Sequence, residues 1–275
     1  MFKNKLYHLF SEIDENTKVC SDPHFNHDGI LRFESCRMEQ MVEDGFLKEE
    51  VNMNDWFIPE TLKLLPEKKE QMKGLTDIHN EWLIHRWNTE VQPDELVLCL
   101  GDFAWKGIQE ILPRLNGRII MILGNHDRKG DHVYKDCEHV VRGSYRLLNK
   151  WETSSRLEIA ASKDELFSSL NLQIKVNGDM KNILFSHYPA TITEEKWTKR
   201  TKNPNNVIQP RIETLLGMAP DFGISDNIHG HTHSRIVQED KDHPEAGWWN
   251  FRNCSIENTN FAPIAIKELF KNKED

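Results

Sequence analysis

Short apolar runs that lead into small or polar residues recur along the chain and predict buried strands. The clearest are Leu96–Leu100, Ile119–Leu123 and Ile183–Phe185, and two weaker ones cover Thr17–Cys20 and Phe222–Ile228. Apolar, partly β-branched runs of this kind suit strands that are buried on both faces of a sheet. Each run is followed directly by Gly, Ser or His.

Helical signals lie between the predicted strands. Apolar residues recur at helical spacing over residues 78–87, after a possible cap at Thr76 or Asp77. Shorter helices are predicted over residues 107–115 and 211–217. Alternating strands and helices indicate an α/β layered fold.

Three further regions of the chain remain to be interpreted. Residues 248–256 and 263–266 are predicted to pair as strands. Residues 38–75 and 128–180 mix apolar and charged positions, so loops and small elements over one end of the sheet are expected there. Each is either a solvated surface insertion, or a lid or wall that selects the substrate. We expect a single domain over residues 1–275, with an inserted cap or loop at about 38–75.

The composition is that of an ordinary globular protein. Among 275 residues, 38% are hydrophobic and 29% are charged. The chain has no apolar stretch of about 18 residues and no secretory signal pattern, so we expect no membrane span. The five cysteines form no C-x-x-C pair, which indicates reduced thiols and a cytoplasmic location. The net charge of −9 argues against stable binding to nucleic acid.

Side chains suited to metal binding follow the predicted strands. In open α/β sheets, sites form beyond the carboxyl ends of the strands, so these side chains can converge. Carboxylate oxygens and imidazole nitrogens suit Mn²⁺, Fe²⁺ or Zn²⁺. Seven of the eight converging residues could fill the shells of two metal ions. The eight are Asp22, His24, Asp102, Asn125, His126, His187, His231 and His233.

Such a pair of ions needs a bridging carboxylate, and Asp102 is the best candidate because it stands alone on a tight Gly-Asp turn. Two ions about 3.5–4 Å apart can hold a bridging hydroxide as nucleophile and stabilise charge on both sides of an in-line displacement. His126 would then remain as a general acid, with Asp127 fixing its tautomer. Proton donation of this kind typically raises the reaction rate by about 10²–10⁴-fold.

The ordered set of motifs resembles the calcineurin-like metallophosphoesterase superfamily, and within it a compact bacterial and phage branch. The likeness covers roughly residues 17–267. Its motifs are Asp22-Pro23-His24, Gly101-Asp102, Gly124-Asn125-His126-Asp127, Ser186-His187 and Gly230-His231-Thr232-His233.

The resemblance implies a four-layer α/β sandwich, with two central mixed β-sheets flanked by helices. It also implies two divalent metal ions, Mn²⁺ first, with Fe²⁺, Zn²⁺ or Ni²⁺ as alternatives. It assigns Asp102 to both ions and His126 as the catalytic acid. The remaining ligands are Asp22, His24 and His233 at the first ion, and Asn125, His187 and His231 at the second.

The predicted function is hydrolysis of phosphodiester or phosphomonoester bonds in a small or nucleotide-like substrate. A nuclease on the same core and a catalytically silent scaffold are the alternatives. His27 could contact the substrate or be a solvated or structural histidine. Arg128 could hold a phosphate oxygen or make a surface ion pair, and Arg37 is a weaker candidate for the same contact. The oligomeric state is left open.

Overall fold

Strands make up the centre of the molecule. The computed structural model describes residues 2–58, 61, 63–127, 131–148, 156–161, 168–190, 209–233 and 249–271. The strands in these residues are β1 (Lys18–Cys20), β2 (Leu96–Cys99), β3 (Arg118–Ile122), β4 (His139–Val141), β5 (Gly143–Leu148), β6 (Arg156–Ala161), β7 (Ser168–Val176), β8 (Asp179–Ser186), β9 (Asp226–His229), β10 (Asn250–Asn253) and β11 (Ile264–Ala265).

The strands form two mixed sheets. A five-stranded sheet has the order β11-β1-β2-β3-β4, in which β1 to β4 are parallel and β11 is antiparallel to β1. A six-stranded sheet has the order β10-β9-β8-β7-β5-β6. Its pairs β10-β9, β9-β8 and β7-β5 are parallel, whereas β8-β7 and β5-β6 are antiparallel.

One α-helix precedes the first strand, and the others lie between strands in the chain. Shorter 3-10 turns connect several of them, at Asn54–Trp56, Pro66–Lys68, Leu112–Arg114, Asp131–Tyr134, Ile256–Asn258 and Ile266–Phe270. The α-helices of the described residues are α1 (Phe2–Ser11), α2 (Ile30–Phe33), α3 (Cys36–Glu43), α4 (Lys69–Glu90), α5 (Ile108–Ile111) and α6 (Gln209–Phe222). None of them is both long and apolar enough to cross a membrane.

The two sheets pack against each other through alternate side chains of their strands. Leu98 and Ile120 of the five-stranded sheet share an apolar cluster with Leu172, Ile174 and Phe185 of the other sheet, and all five are buried. Successive side chains of a strand point to opposite faces. The intervening positions of β2 and β3 therefore face away from the second sheet.

Helices cover the outer face of each sheet. Val97 and Met121 belong to a second cluster with Trp82 of α4. Leu184 of β8 belongs to a third cluster with Leu215 of α6. The expected four-layer sandwich of two mixed sheets flanked by helices is confirmed.

The prediction for residues 128–180 is wrong, because their described part contains β5, β6 and β7, three of the six strands of the six-stranded sheet. In β7, Leu170, Leu172, Ile174 and Val176 point into the core between the sheets. They alternate with Asn171, Gln173 and Lys175. A search for continuous apolar runs misses strands with this period of two.

The predicted strand pair near the C-terminus is also wrong. β10 pairs with β9 and β11 pairs with β1, so the two strands belong to different sheets.

The predicted helix over residues 78–87 is longer in the structure. It begins at Lys69, and Thr76 lies inside it, where its hydroxyl donates to the carbonyl of Met72 at 2.8 Å. The helix predicted over residues 107–115 is α5 followed by a 3-10 turn.

Residues 38–75 contribute several buried side chains to the helical layer. Met38 and Met41 of α3, with Met53, Trp56 and Met72, belong to the cluster that covers β2 and β3. Much of this segment is therefore packed against the sheet. Its role as a cap stays a prediction.

Replacing Trp82 by Ala should lower the free energy of unfolding by about 3–5 kcal/mol, because a fully buried aromatic side chain is lost. The indole N–H also donates to Oδ2 of Asp44 at 2.6 Å. Urea unfolding followed by circular dichroism measures the change. Met180→Ala is the control, since Met180 is 53% exposed and should shift stability by less than about 0.5 kcal/mol. Equal effects of the two substitutions would contradict this packing.

Candidate metal centre

The turns that follow five strands meet at one edge of the two sheets. β1, β2 and β3 lead to Asp22, Asp102 and Asn125, whereas β8 and β9 lead to His187 and His231. Parallel strands present their carboxyl ends at the same edge. The structure gathers the seven predicted metal ligands there, namely Asp22, His24, Asp102, Asn125, His187, His231 and His233.

Six of these side chains form two candidate metal sites, which we call the first group and the second group. Within each group, one ligand atom of every residue lies within 4.8 Å of the others. Asn125 adjoins the second group, because its Oδ1 lies 3.0 Å from Nε2 of His187. The first group is Asp22, His24 and His233, and the second group is Asp102, His187 and His231.

The first group has the spacing of ligands around one ion. Nε2 of His24 lies 3.2 Å from Nε2 of His233, and Oδ1 of Asp22 lies 3.7 Å from the latter. Two ligands at right angles, each about 2.1 Å from an ion, are about 3 Å apart. Oδ2 of Asp22 accepts hydrogen bonds from the backbone N–H of His231 and the hydroxyl of Ser255. Oδ1 is buried and accepts no hydrogen bond from the part of the chain that the structure describes, so it fits a cation.

The second group is oriented by the main chain of the neighbouring sheet. Nδ1 of His187 lies 2.9 Å from the carbonyl oxygen of Leu100. Because a carbonyl only accepts, Nδ1 must carry a proton, and in the neutral ring that a metal ion would bind, Nε2 presents its lone pair. Nε2 faces Nδ1 of His231 at 3.2 Å and Oδ2 of Asp102 at 3.4 Å.

Asp102 belongs to the second group and also faces the first group. Its Oδ2 is 3.8 Å from Nε2 of His24 and 3.4 Å from Nε2 of His187. Burial would raise the pKa of Asp102, but the nearby imidazoles outweigh it and lower the pKa. Burial would lower the pKa of His187, yet Asp102 and Asp22 raise it to about 9. The buried carboxylates thus favour positive charge here, and the donor set fits divalent cations.

Five of the predicted ligands have a backbone conformation that residues with a side chain rarely adopt. Nine described non-glycine residues have positive φ. A left-handed conformation costs about 1–2 kcal/mol for such a residue, and it persists only where the surroundings hold it, often at functional sites. The five are Asp22 (60°), His24 (53°), Asp102 (50°), His231 (67°) and His233 (48°).

The glycines of the motifs allow the turns to approach one another. A Cβ on Gly101 would collide with the backbone nitrogen of Gly124, and a Cβ on Gly124 would collide with the carboxylate of Asp102. At Gly230, a Cβ would collide with Ser21. Any larger residue at these positions would therefore push the ligand-bearing turns apart.

His126 stands at the solvent-exposed side of the site. Its side chain is 38% exposed, and its Nε2 lies 3.9 Å from Oδ2 of Asp102. Its backbone N–H donates to Oδ1 of Asp102 at 2.8 Å. The ring is 5.8 Å from the ring of His24, between centroids. This position leaves the imidazole able to reach a bound molecule.

Asp127 does not orient the ring of His126 as expected. Its Oδ2 accepts the backbone N–H groups of Asp102 and Gly124, at 2.8 and 2.7 Å. Its Oδ1 accepts the N–H of Phe103 at 3.0 Å. Buried backbone donors need an acceptor, and in the described contacts Asp127 serves the turns after β2 and β3.

His27 packs against an exposed tryptophan that sequence reasoning did not single out. Its ring stacks on Trp105, with centroids 4.6 Å apart and planes 12° apart. Trp105 is 45% exposed, and its ring lies 5.0 Å from that of His126. Burial and nearby cationic groups lower the pKa of His27 to about 4, so the stacked ring is neutral. Arg128 lies outside the described residues.

Sequence reasoning also missed Glu257, in the 3-10 turn after β10. Its Oε1 lies 3.1 Å from Nδ1 of His233 and accepts a hydrogen bond from Nε of Arg37 at 2.8 Å. Arg37 is fully buried, so the suggestion that it holds a substrate phosphate is wrong. Burial would raise the pKa of Glu257, but Arg37 and His233 lower it to about 2. No local pattern reveals a contact that spans 220 positions of the chain.

The chain is similar in sequence or in fold to several known proteins. The Gene 66 protein of Mycobacterium phage D29 is 26% identical over 175 residues, which are 60% of this chain and 71% of the phage protein. An uncharacterised protein of Methanocaldococcus jannaschii is 40% identical over 57 residues, or 19% of this chain and 32% of that protein. A protein of unknown function from Aquifex aeolicus shares the fold, with a TM-score of 0.50 and 19% identity over 93% of this chain and 97% of that one.

The sequence also matches a whole protein family. The family model described as calcineurin-like phosphoesterase matches residues 16–235, which contain all seven predicted ligands and His126. Because that match spans most of the sequence, the chain belongs to the calcineurin-like phosphoesterase family, as its ordered motifs indicated.

Proposed function

We propose that the protein uses two divalent cations to hydrolyse a phosphomonoester or phosphodiester of a small, nucleotide-like molecule. Its family implies a metal-dependent phosphoester hydrolase. The use of two cations is supported by the position of Asp102. Its Oδ2 lies within 4 Å of an imidazole nitrogen of each group. One carboxylate oxygen in that position can serve two ions.

The proposed ligand assignment follows the two groups. Asp22, His24 and His233 would hold the first ion, and Asp102 would bridge to the second. The second ion would be completed by three further side chains, Asn125, His187 and His231. Mixed oxygen and nitrogen donors suit Mn²⁺ well and also accept Fe²⁺, Zn²⁺ or Ni²⁺.

When bound, the ions would supply a hydroxide nucleophile and stabilise the charge that develops on the phosphate. The residues of the chain supply the rest. His126 is proposed to protonate the leaving oxygen, because its ring is partly exposed beside the carboxylate of Asp102. The Nδ1–H group of His187 is held by the carbonyl of Leu100, which keeps Nε2 directed into the second group.

The nucleotide-like part of the proposal is supported by the stacked pair of His27 and Trp105. An exposed indole beside His126 offers an apolar surface to a planar group next to the phosphate. Phe33, which is 67% exposed, lies near the same pair, because its ring and that of His27 both flank Gly29. Bases stack on such aromatic side chains without regard to their identity.

Asp102→Asn should remove most of the hydrolytic activity, because a neutral amide bridges two cations poorly. A loss of about 3 kcal/mol of transition-state stabilisation corresponds to about 10²-fold in rate. The measurement is hydrolysis of bis-p-nitrophenyl phosphate with Mn²⁺. Asn tolerates the left-handed backbone of this position, so the fold should be retained. Asp179→Asn is the matched control, since that carboxylate is 79% exposed. A full rate in Asp102→Asn would refute the bridge.

His126→Gln should lower kcat by about 10²–10⁴-fold on a substrate with a poor leaving group, such as a nucleoside monophosphate. The loss should be smaller with p-nitrophenyl phosphate, because p-nitrophenolate leaves without protonation. Binding of Mn²⁺ should change little, since His126 belongs to neither group. Steady-state kinetics on both substrates provide the test. Equal losses on the two would show that His126 does not act as the acid.

Trp105→Ala should weaken the binding of AMP by about 5- to 140-fold, which corresponds to the 1–3 kcal/mol that stacking contributes per base. Ribose 5-phosphate carries the same phosphate and sugar without a base, so its binding should change little. Inhibition constants of both compounds against hydrolysis of bis-p-nitrophenyl phosphate measure the difference. If the substitution weakens both equally, the stacking role is ruled out.

A further inference from the structure

A buried guanidinium contacts the main chain of the first group. Arg37 of α3 is fully buried. Its Nη2 donates to the carbonyl oxygen of Asp22 and its Nη1 to that of Pro23, both at 2.8 Å. Its Nε and Nη2 both donate to Oε1 of Glu257. The side chain therefore contacts both the main chain of Asp22 and Pro23 and the carboxylate of Glu257.

Glu257 links Arg37 to His233, a second residue of the first group. Its Oε1 lies 3.1 Å from Nδ1 of His233. Since the carboxylate is an acceptor, Nδ1 holds the proton and Nε2 presents its lone pair towards His24, 3.2 Å away. Carboxylates that fix an imidazole in this way raise the basicity of the ligating nitrogen and hold the orientation of the ring.

The positions of the charged side chains also favour a cation in the first group. Glu257 contacts both Arg37 and His233, so its negative charge offsets the positive charge of the guanidinium near that cation. The carboxylate of Asp22 then remains available for the cation. Without Glu257, a buried arginine would repel that cation.

We propose that Arg37 and Glu257 are positioning residues that set the affinity of the first group for its cation and leave the second group largely unaffected. The inference rests on the proposed pair of cations. Arg37 fixes the turn that carries Asp22, and Glu257 fixes the tautomer and direction of His233. Because Arg37 belongs to α3, it also links the position of this helix to the occupancy of the first group.

The test is calorimetric titration of Mn²⁺ into the full chain after treatment with a chelator. The wild type should bind two ions, and the two binding events are assigned with His24→Ala and His231→Ala, which each remove one ligand from one group. Glu257→Gln should weaken the first event by about 10–100-fold and leave the second within about twofold of the wild type.

A second pair of variants separates positioning from a general loss of stability. Glu257→Asp keeps the charge opposite Arg37 but shortens the side chain, so it should fold and show a smaller loss in the same event. Arg86→Met is the matched control. It removes another arginine–carboxylate pair, in which Arg86 of α4 contacts Asp44 at the end of α3, and should leave both affinities unchanged.

The outcomes distinguish this inference from the proposed function. Unchanged Mn²⁺ affinities in Glu257→Gln, or equal weakening of both events, would overturn the positioning role even in an active hydrolase. A wild type that binds two Mn²⁺ ions but hydrolyses no phosphate ester would refute the proposed function. Selective weakening of the first event would still support the roles of Arg37 and Glu257.

Discussion

The carboxylate of Asp127 holds together the turns on which the candidate site depends. It accepts backbone N–H groups from Asp102, Phe103 and Gly124, and so joins the turn after β2 to the turn after β3. This contact fixes the main chain of Asp102, which in turn fixes the carboxylate between the two groups. Burial and Asp102 raise the pKa of Asp127 to about 6, although the backbone donors oppose that rise.

Burying several acidic groups beside one another is unfavourable unless positive charge balances them. At this edge the balance comes from imidazoles, one guanidinium and, on the proposed assignment, two cations. The left-handed conformations of five ligands add to the unfavourable terms. The tight packing of the motif glycines and the hydrogen bonds to Asp22 and Asp127 keep the site in this geometry.

The sequence was most informative where the requirement is local. Gly101 and Gly124 lie in turns that leave no room for a side chain, so the glycines of the motifs predict these tight turns. The hydrogen-bond partners of Asp127 could not be predicted in this way, because neighbouring residues in the chain do not determine the direction of its side chain. β7 was missed because only its alternate residues are apolar over residues 170–176. Glu257 was missed because its partners lie far away in the chain.

The two groups draw their ligands from both sheets. Asp22, His24 and Asp102 come from the five-stranded sheet, whereas His187, His231 and His233 follow strands of the six-stranded sheet. An ion in either group must therefore bind side chains from both layers at once. Any cation held there acts as a cross-link at one edge of the sandwich. Sliding of one sheet over the other would then break coordination bonds as well as apolar contacts.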